Sequence, residues 1–295
     1  RIVSVKVFSK VTGTHCPNDW GMYSPCILAF ESDQIRALEY VYSQRDTLSI
    51  DAVILSLGAG FWADQSQCDA DNAPRKAIID LLAAAGIPTF SPTGNAALVG
   101  QMLAPACISS VVSVGAVNGT DAVARFSDVA TFMDFFAPGA GIDVPVLGNL
   151  FARKSGTSLA TPMVAAGYAI LKQALPDVPM QTRLDLLRTS GKPISVTALG
   201  GLAVPRLDLK AALAGQVAAP IAPIDRAVAP MPLTLTWRDN GAPHYTLVIR
   251  DSVSKATVYQ QLVAASCTAG VCSFNPPPKL IGGRVYTWWV LAHMP

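Results

Sequence analysis

The sequence predicts an α/β protein, a parallel sheet with helices on both faces, followed by a small all-β sandwich. Three observations carry this. Over the first two thirds, short continuous apolar runs of strand length, such as IDAVILSLG at 50–58, alternate with stretches of helical period. From 215 to 232 the sequence turns into Ala, Pro and Val with little else, a linker composition. Beyond it the apolar period becomes two. The expected domains are therefore 1–214, a linker at 215–232, and a sandwich at 233–295.

Taken in order, RIVSVKVF at 1–8 alternates as a half-buried strand does. After a loop rich in Gly, Pro and Cys, Ser32 or Asp33 can cap a helix carrying Ile35, Leu38 and Tyr42 on one face. The run at 50–58 is a strand ending in glycine. Asn72 caps the next helix, with Pro74 in its first turn, Ile78, Leu81 and Leu82 on its apolar face, and Gly86 as its stop. Strands follow at 87–91 and 111–117, and Asn118-Gly119 between apolar runs reads as a tight turn. Thr120 completes a glycosylation sequon there, which the turn explains more simply. A long helix is expected from 158 to about 175, with shorter ones around 181–188 and 206–214. LTLTW, YTLVIR and VYTWWV are the alternating strands of the sandwich.

Composition narrows the function classes. Against 22 Lys and Arg stand 20 Asp and Glu, a net charge of +2, which argues against nucleic-acid and polybasic membrane partners. Charged residues make up 14% and hydrophobic ones 51%, enough apolar material for a large core. No charge occurs between Leu81 and Thr120, but Pro88, Pro92, Gly94, Asn95, Gly100 and Pro105 break that stretch into buried strands and turns rather than a membrane span. Arg1 in place of Met, and a strand-like run ending at Pro295, read as cut ends. Six cysteines without a C-x-x-C pair give no support to zinc or thioredoxin-like readings; they allow 15 disulfide connectivities and fit an oxidising, extracellular compartment.

The stretch SGTSLATPMVAAG at 155–167 is the most informative. It places Ser158 on a Gly-supported turn at a helix start, where unpaired backbone N–H groups stabilise negative charge, including the oxyanion formed when a serine attacks a carbonyl. A plain capping serine is the alternative. Pro162 fits as one of the first-turn residues whose N–H needs no partner. Ala160 excludes the G-x-S-x-G elbow.

GTSLATPMVAAG resembles the nucleophile motif of the subtilisin-like serine peptidases, the subtilases. VSVKVF resembles the strand after that family's histidine helix, DAVILSLGAG its substrate-binding strand, and GIPTFSPTGN the strand and turn ending in its oxyanion-hole asparagine. PACISSVVSVGAV and RFSDVATFMDFFAPG follow in the family's order, so the likeness covers roughly 3–214. The resemblance implies a subtilisin-like sheet, Ser158 as nucleophile, and Asn95 with the Ser158 N–H as oxyanion donors. Alone, Asn95 would read as a Gly-Asn turn. Ser56, Leu57 and Gly58 would pair with an extended peptide, and Thr93 and Gly94 would border the pocket for the acyl-side residue of the scissile bond. Ala59 replaces the usual second glycine, and Pro92-Thr93 replaces small residues. The resemblance also implies a Cys68–Cys107 bridge; Cys16–Cys26 and Cys267–Cys272 are paired by proximity.

The departure is in the triad. The family's Asp-Ser/Thr-Gly turn and His-Gly-Thr-His-like helix start are absent. The histidines are His15, His244 and His293; His15 reads as a surface loop, and the others belong to the sandwich or its end. Asp19-Trp20-Gly21 and Asp239-Asn240-Gly241 read as turns. The expectation is an N-terminally truncated, secreted, monomeric serine endopeptidase acting on polypeptides, inactive as this chain. A non-catalytic binding scaffold and an adhesion or polymer-binding protein are the alternatives. Asp69 and Asp71 read as solvated carboxylates, and no metal or cofactor is expected. The C-terminal part resembles an incomplete fibronectin type III-like domain, with Trp237 anchoring one sheet, Tyr286 and Trp288 on a late strand, and an exposed edge where a final strand is missing.

Overall fold

The computed structural model describes residues 2–13, 16, 24–175, 178–213, 217, 218, 220–222, 233–239, 241, 242, 244–251, 257–263, 265–276, 280 and 284–293. Its chain divides into two compact units, Arg1–Leu207 and Asp208–Pro295. His15 and the Asp19-Trp20-Gly21 turn lie outside the described residues.

In the first unit the expected opening strand does not form. Residues 2–8 belong to no strand, and Ile2, Val3, Val5 and Phe8 are exposed. Alternation specifies a strand only where a neighbour supplies hydrogen bonds and a covering face. Pairing begins later, with β1 (Ser9–Val11) antiparallel to β2 (Cys26–Leu28). Helix α1 (Glu31–Gln44) is capped at Phe30, two residues before the first of the expected caps, and without a side-chain cap bond. Glu31 and Asp33 instead place acidic charge in its first turn, where the helix dipole favours it.

β3 (Val53–Ile54) and β4 (Ala59–Trp62) follow, then α2 (Gln65–Asp71) and α3 (Ala73–Ala84). α3 has Pro74 in its first turn, and Gly86, at φ +80°, turns the chain after it. Ile78, Ile79 and Leu82 are buried, but Leu81, expected on the apolar face, is 48% exposed. The fourth buried slot of that helical stripe goes to Arg75, whose guanidinium donates to Gln34 Oε1 at 2.8 Å and to Asn72 Oδ1. Two of its nitrogens are met by neutral oxygens, and the Glu31 carboxylate lies 4.0 Å from Nε, which offsets part of the cost of burying the cation.

The remaining elements of the unit are β5 (Thr89–Pro92), β6 (Met102–Ala104), β7 (Val111–Val117), β8 (Phe135–Pro138), β9 (Ile142–Val146), β10 (Leu150–Lys154), α4 (Thr157–Ala174), α5 (Met180–Ser190), β11 (Lys192–Val196) and β12 (Leu202–Arg206). Arg206, expected to open a helix at 206–214, is instead the last residue of β12, and the helix begins at Leu209. The main sheet has the order β11-β12-β8-β7-β5-β3. All neighbours are parallel except β11, which pairs antiparallel with β12 at the edge.

Helices cover both faces, as strand alternation shows. Phe136 packs into the core that includes Leu38 of α1 and Ile78, Ile79 and Leu82 of α3. Phe135 points the other way, under the Arg188 guanidinium of α5 at 5.6 Å. Phe90 of β5 likewise meets Tyr168 of α4, with ring centroids 5.9 Å apart. All seven residues of β7 are buried, which is why its sequence reads as an unbroken apolar run rather than an alternating one.

In the second unit the short helix α6 (Leu209–Leu213) precedes β13 (Val217–Ala218), β14 (Pro220–Ala222), β15 (Leu235–Arg238), β16 (His244–Asp251), β17 (Thr257–Val263), β18 (Ser266–Thr268), β19 (Val271–Phe274) and β20 (Tyr286–His293). They form two four-stranded sheets, β13-β20-β16-β17 and β14-β15-β19-β18. β20 is not the expected edge. It pairs with β16 on one side and β13 on the other, so a strand from the chain before the sandwich closes the gap. Trp237 is fully buried against Tyr245, edge-on at 5.4 Å.

All three expected disulfides are present, Cys16–Cys26, Cys68–Cys107 and Cys267–Cys272. Cys68–Cys107 spans 39 residues and ties α2 to the turn after β6. A cross-link across a loop of that size restricts the unfolded chain strongly. Replacing both cysteines with alanine is expected to lower unfolding stability by about 2–4 kcal/mol, read from urea unfolding as a lower midpoint, with a steeper slope because the unfolded chain is freed. An unchanged midpoint would contradict that role.

Candidate active site

The site gathers at the C-terminal ends of β3, β5 and β8, where open α/β sheets place their ligands. Past β3, Leu55 N still donates to Phe90 O at 2.9 Å, and the chain then leaves the sheet through Ser56, Leu57 and Gly58. Ser56 and Gly58 are exposed and Leu57 is half-buried. Past β5, Thr93 N donates to Val114 O and Thr93 O accepts from Leu103 N, both at 3.0 Å. Thr93 is fully buried, with its backbone N–H and C=O both engaged. Gly94, at φ +122°, then turns the chain so that Asn95 is exposed.

Asn95 is joined directly to the start of α4. Its Oδ1 accepts from Thr157 N at 2.8 Å and from Thr157 Oγ1 at 3.0 Å. Backbone N–H is an obligatory donor, so the carboxamide oxygen must face Thr157 and only the NH2 end is left to offer a ligand. Ser158 is the second residue of α4 and half-buried. Gly156 lies between the two groups: a side-chain carbon there would stand 3.8 Å from both Asn95 Nδ2 and Ser158 N. The Asn95 carboxamide and the Ser158 N–H thus lie on either side of Gly156 at the positive end of an 18-residue helix.

Pro162 is the sixth residue of α4, so its missing N–H is not one of the first-turn donors. It is the group that would have bonded the Ser158 carbonyl, four residues earlier. Ser56 Oγ fills that gap, donating to Ser158 O at 3.1 Å. The expected peptide-pairing segment and the serine are therefore bonded to each other.

Asp128 holds the loop that presents Asn95. Its carboxylate Oδ1 accepts from Ala96 N at 2.9 Å and Leu98 N at 2.7 Å, while its own N–H donates to Gly94 O at 3.1 Å. The side chain is fully buried, and Oδ2 has no hydrogen-bond partner. Burial pushes the Asp128 pKa up, opposed by the two backbone N–H groups.

No described residue of this unit is a histidine. His244 is an exposed residue of β16 and His293 lies on β20, both in the other unit. Among the described residues the site therefore brings together a serine hydroxyl, a backbone N–H and a carboxamide NH2, without a histidine. Asp69 and Asp71, expected to be idle solvated carboxylates, lie on α2 and are engaged: Asp69 accepts from Ser109 N and Oγ, Asp71 from Trp62 Nε1 and Gln67 Nε2. Among the described residues one group has metal-ligand spacing, Asp239 with Cys267 and Cys272, and its sulfurs are joined in a disulfide.

The sequence points to Ser158, Asn95, residues 56–58, Thr93 and Gly94 and gives no sign of the parts played by Thr157 and Asp128. Pro162, four residues after Ser158, was the available signal for an unpaired carbonyl. Asp128 gave none, because its partners are backbone groups.

The fold and site define a subtilisin-like α/β architecture with a serine at a helix N-terminus. A sequence profile described as the Subtilase family matches residues 31–206, and the chain belongs to that family. It is 34% identical over 132 residues to Alkaline elastase YaB of Bacillus sp. (strain YaB), covering 44% of this chain and 35% of that protein. It is 32% identical over 137 residues to Subtilisin NAT of Bacillus subtilis subsp. natto, covering 46% and 33%. The chain thus matches about a third of the length of these relatives. Among solved structures, Patellamide maturation protease PatA matches at a TM-score of 0.53 and 23% identity over 62% of this chain and 68% of that one. A cold adapted subtilisin-like serine proteinase matches at 0.51 and 24% over 62% of each, and both show the shared fold.

Asp128 gives the site a pH signature. Its folded pKa is raised, so between the ordinary value of 3.8 and the raised one the native state holds more protons than the unfolded chain. In that window its contribution to stability falls as pH rises. Asp128→Asn, a neutral isostere, is expected to abolish this share of the pH dependence in urea unfolding from pH 3 to pH 8. Parallel wild-type and variant profiles would refute it.

Proposed function

We propose that this chain carries the nucleophile and oxyanion hole of a secreted serine endopeptidase. Ser158 Oγ attacks the scissile carbonyl, the Ser158 N–H and Asn95 Nδ2 hold the oxyanion, and an acyl-enzyme forms and is hydrolysed. The observation that supports this most is the Asn95–Thr157 bond, which sets an amide donor beside Ser158 at a helix N-terminus. An extended peptide adds as a strand along Ser56, Leu57 and Gly58, with Gly94 bordering the acyl-side pocket. The general base and its aspartate come from a segment encoded upstream, and this chain alone is inactive. In subtilisin itself, loss of the serine or histidine of the triad costs on the order of a millionfold in turnover.

In this reading the protein is a monomer acting on polypeptides, without nucleic-acid, membrane or metal partners. The peptidase part spans 1–214 and 233–295 is a fibronectin type III-like accessory domain; the stretch 215–232, a linker by composition, lends β13 and β14 to the sheets of that domain. Among the described residues no helix is long and apolar enough to cross a membrane. Three disulfides and the likeness to a relative named Minor extracellular protease Epr, of Bacillus subtilis (strain 168), support export. A non-catalytic scaffold is the second reading, favoured by the absence of a histidine among the described residues of that unit.

The test compares this chain with the product of its full coding sequence on a peptide anilide. Hydrolysis is expected from the longer product only, to be abolished by Ser158→Ala and lowered about 10²–10³-fold in kcat by Asn95→Ala, the range known for subtilisin. A full product that contains a histidine and aspartate yet cleaves nothing would leave the scaffold reading.

A further inference from the structure

Leu103 is set across the cleft between the two segments that would receive the acyl-side residue. It stands in the middle of β6, which pairs with β4 just past Gly58, and its N–H bonds Thr93 O at 3.0 Å just before Gly94. Its side chain reaches both glycines. A carbon attached to Gly58 would lie 2.0 Å from Leu103 Cδ1, and one attached to Gly94 would lie 3.1 Å from Leu103 Cδ2. Cδ1 therefore shares with the Ala104 carbonyl oxygen, 2.4 Å from the same would-be carbon, the space that Gly58 leaves open, while Cδ2 lies at the edge of the space beside Gly94. Leu103 is half-buried, so part of it still faces solvent between these segments.

The surroundings fix it in place. Met102 and Ala104, on either side, are fully buried, and the 102–104 strand is held by β4 and by Thr93. At Gly94 the neighbouring space belongs to the Asp128 carboxyl, 1.9 Å from the same would-be carbon. The backbone of Leu103 is thus fixed, and on the packed side of its side chain an extra ring is accommodated only at the expense of strain.

We propose that Leu103 is the specificity-determining residue of the cleft, admitting only small acyl-side residues, alanine or glycine, and excluding aromatic and long aliphatic ones. This rests on the peptidase reading for the position of the cleft, and goes beyond it in naming the substrate class. A pocket wall that lacks space for a side chain discriminates by about 10–200-fold per misfit group.

The test reads binding, so that it does not depend on turnover. The full-length protein carrying Ser158→Ala is titrated with acetyl-Ala-Ala-Pro-X amides, X being Ala, Leu or Phe, and followed by NMR or calorimetry. The Ala peptide is expected to bind at least about tenfold more tightly than the Phe peptide. Adding Leu103→Gly should reverse that order, with Leu103→Ala intermediate; thermal unfolding verifies that each variant is folded. If the Phe peptide binds as well as the Ala peptide before Leu103 is changed, the proposal is wrong while the cleft assignment stands. An unchanged ratio in both folded Leu103 variants also overturns it. If no peptide binds to any variant, the cleft assignment itself fails and the proposal with it.

Discussion

The bond between Thr157 N and Asn95 Oδ1 joins positions 62 residues apart, and the rest of the site follows from it. One partner is the loop leaving β5, the other the first residue of α4. The bond satisfies an orphan donor of the helix, orients the carboxamide, and fixes Ser158 relative to Asn95 in one step. It is supported from both sides. Asp128 holds the loop through Ala96 and Leu98, and the Gly156 N–H bonds Gly139 O at 2.8 Å at the end of β8. The parallel sheet brings these three chain ends together, and the buried run of β7 between β5 and β8 sets their spacing.

Much of this was legible in the chain, for local reasons. β7 is a continuous apolar run bounded by turns, and α4 combines a Gly-supported start with a long small-residue face; such segments carry their own signal. The opening run at 2–8 shows the limit, since an alternating pattern specifies a strand only when a partner is adjacent. Leu81 shows another: the buried stripe of α3 admits Arg75 in its place because Gln34 and Asn72 supply oxygens from elsewhere in the fold. The pairing of β13 with β20 was invisible because two residues within an Ala/Pro-rich stretch have no period to read.

The candidate site divides in the same way. Ser158 and Asn95 were found because their motifs are contiguous. Asp128 and Leu103 were not, because each acts on backbone or on space left by glycines, and neither leaves a mark on its own neighbours in sequence. The catalytic question has a similar form. A helix N-terminus can stabilise an oxyanion without any other residue, but it cannot take a proton, and the base that does so must arrive from a separate element.

The Ser56–Ser158 bond has a consequence for what the cleft presents to an incoming chain. A serine hydroxyl has one proton and two lone pairs. With that proton directed at the Ser158 carbonyl that Pro162 leaves unpaired, Ser56 meets its surroundings as an acceptor only. One imino acid in α4 thereby sets the polarity of a hydroxyl 106 positions earlier in the chain.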